Sequence, residues 1–140
     1  MSFKVPDVIE EYLKIIEEGQ YRVCKEQKAL AEYVRKVFKE EPIVFDEEKA
    51  KRYIGIAKYF PFKELFAWEK FIIALWNCVY KIDGMPRWKT LFVMVGRGAG
   101  KDGLIAVDSL ASISPYNSVA HYDVDICANN EEQAKRPVMD

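Results

Sequence analysis

Thr90-Leu91-Phe92-Val93-Met94-Val95-Gly96-Arg97-Gly98-Ala99-Gly100-Lys101-Asp102 is the stretch that decides how this chain reads. An apolar run leads into a glycine-rich turn. A lysine and a helix-like run, Asp102-Gly-Leu-Ile-Ala-Val-Asp-Ser-Leu110, follow it. Strand, glycine turn, lysine and helix is the context of a phosphate-binding P-loop. The glycines allow a tight turn whose N–H groups converge on phosphate oxygens, and the helix N-terminus adds partial positive charge. Lys101 places an ammonium near the β- and γ-phosphates. Two positions depart from the pattern: Val95 stands where a leading glycine is expected, and Asp102 where a hydroxyl residue is expected. The bland alternative is an ordinary glycine turn capping a helix, which the strand-to-helix context disfavours.

Composition permits this reading without adding to it. With 140 residues, half of them hydrophobic, the chain can build a core. A net charge of −1 provides no global steering toward nucleic acid. Cys24, Cys78 and Cys127 are odd in number and far apart, so they read as reduced thiols of a cytosolic protein. The apolar stretch Phe71 to Tyr80 is too short to cross a bilayer and contains Asn77. A soluble protein follows.

Two halves differ in period. Residues 1–80 read as a helical segment with four helices. The first has Val8, Ile9, Tyr12, Leu13 and Ile16 at helical spacing and ends at Gly19. The second runs from about Tyr21 to Glu40, with Leu30, Tyr33, Val34, Val37 and Phe38 on one face, and stops at Pro42. Asp46 caps a third that reaches Tyr59, and Pro61 separates it from a fourth over Lys63–Val79. Alternating charges in this half mark solvated faces.

Residues 81–140 read as the core of a P-loop ATPase. Thr90–Gly96 is a compact strand of the parallel-sheet kind. A helix covers 101–113, Ser114-Pro-Tyr-Asn117 is a turn, and Val119–Ala128 alternates as a second strand. Glu131 opens a last helix that Pro137 interrupts. The fold expected is therefore α/β: a helical N-terminal segment followed by one right-handed βαβ unit, the start of a P-loop NTPase parallel sheet.

That core lacks a second acidic site. Hydrolysis requires an apolar strand ending in Asp or Glu. Asp123 and Asp125 interrupt their strand instead of ending it. Two strands are also few for a buried sheet. The chain thus reads as the front portion of a longer protein. By itself it is expected to hydrolyse ATP poorly and to self-associate through the open edge at Thr90–Gly96.

Three pieces together resemble the N-terminal part of a phage terminase large subunit, the ATPase motor that packages DNA. Phe66-Ala-Trp68-Glu69-Lys-Phe71-Ile-Ile73 resembles the family's aromatic, glutamine-containing element near the adenine site. Val95-Gly-Arg97-Gly-Ala-Gly100-Lys101-Asp102 is similar to its arginine-containing Walker A loop. Cys127-Ala-Asn-Asn-Glu-Glu-Gln133-Ala134 resembles a strand end followed by a helix start with Gln-Ala. The matches span roughly residues 60–136. The resemblance implies ATP with magnesium, double-stranded DNA as the moved substrate, and a portal protein and small terminase subunit as partners. It also implies a nuclease domain beyond Asp140 and a phage protein working in host cytoplasm. Gly96, Arg97, Gly98, Ala99, Gly100, Lys101 and Asp102 would hold the nucleotide. Glu69, where the family often has Gln, would approach adenine.

Several residues carry two readings. Arg97 is either a cation that stabilises transition-state charge or a solvated loop residue. Asp102 is either a magnesium ligand or an acid favoured by the helix dipole. Trp68, Phe71, Trp76, Tyr80 and Trp88 suggest a base-stacking wall, but at helical spacing they read mainly as core. Arg87 and Lys89 meet DNA phosphate or simply flank a strand entry. His121 reads as a surface residue, and Gln133 as part of a helix start. Two other functions stay open: another P-loop ATPase of helicase-like type, and a helical interaction module with a vestigial nucleotide loop.

Overall fold

The computed structural model describes residues 4–117 and 119–139. The protein is mostly helical, and among the described residues its one sheet has two antiparallel strands. The expected parallel βαβ unit is not formed. Thr90–Gly96 forms no strand, and Leu91, Phe92, Val93 and Met94 are 44, 82, 37 and 82% exposed. Val119–Ala128 forms none either, with Tyr122 and Val124 exposed. The physical reason is that a parallel strand is held by hydrogen-bonded neighbours and by helices on both faces. Neither run has such neighbours among the described residues, so apolar composition alone does not make it a strand.

The chain groups into two compact units, Met1–Glu47 with Phe66–Thr90, and Glu48–Leu65 with Leu91–Asp140. The first unit is built on α1 (Asp7–Glu17), α2 (Lys25–Glu40) and α4 (Ala67–Cys78). Pro6 precedes α1, where its missing N–H costs nothing and its fixed φ suits the helix entrance. Ile9, Leu13 and Ile16 then recur every three or four residues on one buried face. Gly19, with φ of 73°, turns the chain after the helix. In α2 the buried face is Ala31, Val34, Val37 and Phe38, so the expected members Leu30 and Tyr33 lie outward. The helix also starts at Lys25, later than periodicity suggests. There the Gln27 carboxamide accepts the Cys24 N–H at 2.9 Å and donates to the Tyr12 hydroxyl at 2.9 Å.

Phe71, Ala74, Ile43 and Val79 close this core over α1 and α2. Burying a side chain such as Phe71 contributes on the order of 2 kcal/mol. Strand β1 (Ile43–Phe45) pairs with β2 (Val79–Lys81) in the register Ile43↔Lys81, Val44↔Tyr80 and Phe45↔Val79. Residues after α4 turn at Gly84, whose φ is 84°. Lys81 donates its N–H to the Met85 carbonyl at 2.8 Å, which holds this turn closed. Arg35 ties α2 to α1, with Nη1 and Nη2 on the Glu10 carboxylate at 3.0 and 2.6 Å and Nε on Glu17 at 2.6 Å.

The second unit contains α3 (Glu47–Gly55, whose first residue belongs to the other unit), a 3-10 turn over Ile56–Tyr59, α5 (Lys101–Ile113) and α6 (Glu131–Met139). Expected as one helix to Tyr59, α3 tightens into the 3-10 turn after Gly55. Buried here are Ala50, Tyr53, Ile56, Ala57, Leu65, Leu104, Val107 and Ala111. Helix α5 packs on the 3-10 turn and on α6. Its start and end match the sequence reading, and Ser114–Asn117 turns as expected, with the Asn117 N–H on the Ser114 carbonyl at 3.1 Å. Asn130 caps α6 by accepting the Gln133 N–H at 2.9 Å, and Pro137 lies inside that helix. Among the described residues no helix is long and apolar enough to cross a membrane.

Candidate functional site

The glycine-rich turn delivers the chain directly into α5. Gly98 and Gly100 take φ of 79° and 99°, a region that residues with a Cβ enter only at a cost of about 1–2 kcal/mol. Gly100 is the N-cap residue, and Lys101 is the first residue of the helix. The Ala99 N–H closes the turn onto the Gly96 carbonyl at 3.2 Å, and the Leu104 N–H starts the helical ladder on the Gly100 carbonyl at 3.1 Å. The first-turn N–H groups ahead of Leu104 have no acceptor within the helix. Added Cβ atoms at Gly96 and Gly98 would meet nothing within 4 Å, so these two glycines answer to backbone freedom or to something that approaches them, not to crowding.

Arg97, Lys101 and Asp102 are all exposed at this turn. Lys101 Nζ lies 3.9 Å from Asp102 Oδ1, a loose pair between half-exposed side chains. Such a pair contributes little and yields readily to a stronger anion. Arg97 makes no ion pair among the described residues. The structure thus brings together Gly96, Arg97, Gly98, Ala99, Gly100, Lys101 and Asp102 in one turn with two cations and a helix N-terminus. Backbone donors, a helix dipole and an ammonium are the elements from which phosphate sites are built.

A metal at this turn would have Asp102 as its one carboxylate from the predicted set. Among the described residues no group of three or more His, Cys, Asp or Glu side chains converges to hold an ion. Magnesium is commonly held by one or two carboxylates together with substrate phosphates and water, and Asp102 fits that kind of site. Asp123 and Asp125 are exposed residues of a segment without strand structure.

Glu69 sits elsewhere, in the first unit, where it is only 4% exposed. Its Oε1 accepts the Phe66 N–H at 3.0 Å, while its own N–H donates to the Phe66 carbonyl at 3.0 Å. This reciprocal cap starts α4. Burial pushes the Glu69 carboxyl above the usual carboxylate range, and the Phe66 N–H partly opposes that shift. Of the aromatic wall only Phe71 is buried in the core, while Trp68, Trp76, Tyr80 and Trp88 are half-buried. Phe71 is buried against Tyr12 with ring centroids 4.9 Å apart, and Trp88 packs on the core and donates Nε1–H to the Tyr33 hydroxyl at 2.9 Å. Arg87 is engaged by Glu41, whereas His121 is exposed with φ of 56°.

Two aromatic residues that sequence reasoning passed over lie beside the helix that carries Lys101. Phe62 rests on Gly103, where an added Cβ would come within 3.1 and 3.3 Å of its Cε1 and Cζ. Phe60 and Phe62 stack with centroids 5.3 Å apart at 16°. Further along α5, a groove of about 360 Å³ is lined by Phe60, Ala106, Leu110, Ile113 and Tyr122. The available signal was Phe60-Pro61-Phe62, read only as a helix break, and Gly103 in the middle of a helix pattern.

Searches of protein-family models, curated proteins and solved structures find no match to the chain.

Proposed function

We propose that this chain is the ATP-binding N-terminal portion of a terminase large subunit, the ATP-driven motor that packages double-stranded DNA. The observation that carries the proposal is the turn at the mouth of α5. Two glycines in the left-handed region place Lys101 at the first position of the helix. This supplies the turn-and-helix part of a phosphate loop, while the strand that ordinarily leads into such a loop is not formed at Thr90–Gly96. The order of the Phe66–Ile73, Val95–Asp102 and Cys127–Ala134 elements supports the more specific family reading. In this proposal Gly96 to Lys101 hold the triphosphate, Asp102 contributes to magnesium, and Arg97 meets charge that develops during phosphoryl transfer. The portal protein and the small terminase subunit are its partners in the host cytoplasm. Glu69 supports the start of α4 and is left out of base recognition.

A second reading is favoured by one feature, the Asp102 carboxylate beside Lys101. It pre-empts part of the lysine's charge, as in a loop that no longer binds nucleotide, and the first unit with its own core would then be an interaction module. Calorimetric titration with ATP, with and without magnesium, separates the two. The ATP-binding reading expects binding that Lys101→Ala abolishes in a variant with unchanged circular dichroism. A wild-type chain that ignores ATP under both conditions would establish the vestigial loop.

A further inference from the structure

We draw no further inference here: the strongest candidate, the exposed apolar run Leu91–Met94 that leads into the glycine turn of the second unit, is an unpartnered surface, and nothing in the structure shows what covers it.

Discussion

Arg87 grips Glu41 across 46 residues of sequence, with Nε on Oε2 at 2.6 Å and Nη2 on Oε1 at 2.9 Å. Glu41 ends α2, and the Arg87 N–H lies on the Val79 carbonyl at 3.0 Å, so the pair fastens the exit of β2 to the end of α2. The guanidinium also lies 5.2 Å over the Trp88 ring. A two-pronged contact with stacking needs the flat guanidinium fork. Arg87→Lys is expected to lose about 0.5–1 kcal/mol of stability in urea denaturation, a modest cost because both side chains are partly solvated. A stability equal to wild type would show that the fork contributes nothing beyond charge.

Glu69 and Glu41 respond to pH in opposite directions. The Arg87 hydrogen bonds hold Glu41 below the ordinary carboxylate value of 4.5, as those of Arg35 do Glu10, so their contribution is present above that value and lost as pH falls. Burial raises Glu69, so its contribution is present below 4.5 and lost as pH rises through its folded value. Glu69→Gln keeps an acceptor for the Phe66 N–H and removes the charge. Its stability relative to wild type should therefore rise as pH increases from 4 to 8 by thermal unfolding. Glu69→Ala, which removes the cap, should cost about 1 kcal/mol at pH 4 and less as pH rises, because it too escapes the buried charge. A Gln variant with a pH profile identical to wild type would refute the buried-charge account.

The glycines of the turn separate backbone demand from incidental small size. Gly100→Ala is expected to destabilise by about 1 kcal/mol, since φ of 99° is strained for any residue with a Cβ. Gly96→Ala should be nearly neutral for folding, because its φ lies outside that region and its surroundings are open. If the turn cradles phosphate, Gly96→Ala should nonetheless weaken ATP. Equal denaturation midpoints for the two variants would mean that the turn relaxes freely.

Asp102→Ser tests the carboxylate beside Lys101. Removing it frees the ammonium from its 3.9 Å partner. ATP binding without magnesium is expected to tighten, by up to about tenfold for a partly screened charge. Binding with magnesium should be retained. Loss of binding under both conditions would reveal a role for Asp102 that neither metal ligation nor repulsion describes.

Much of the helical layout is legible because its signals are local. Ile9, Leu13 and Ile16 repeat within one helix, and Gly100 and Ser114 punctuate α5. The antiparallel pair β1–β2 was not legible, because Ile43–Phe45 is three residues long, its partner continues the apolar character of α4, and two helices separate them in sequence. Thr90–Gly96 misled for the complementary reason. Its Val, Leu and Phe content suits a buried strand, but burial is conferred by neighbours that a short window does not contain. The glycine turn was legible to the residue. The contact of Phe62 with Gly103 was not, since nothing near either residue in sequence announces the other.

The path of the backbone through its two units constrains how the protein can be cut and assembled. The chain passes from one unit to the other at 47/48, returns at 65/66 and leaves again at 90/91. No single cleavage therefore releases either body whole, and a fragment starting at Leu91 would carry Lys101 but lack Phe60 and Phe62. Assembly carries a matching demand. The stretch 48–65 must find residues beyond 90 across an intervening loop that the other body is itself recruiting. Loop-closure entropy grows slowly with length, so this is a constraint on the order of events more than on final stability.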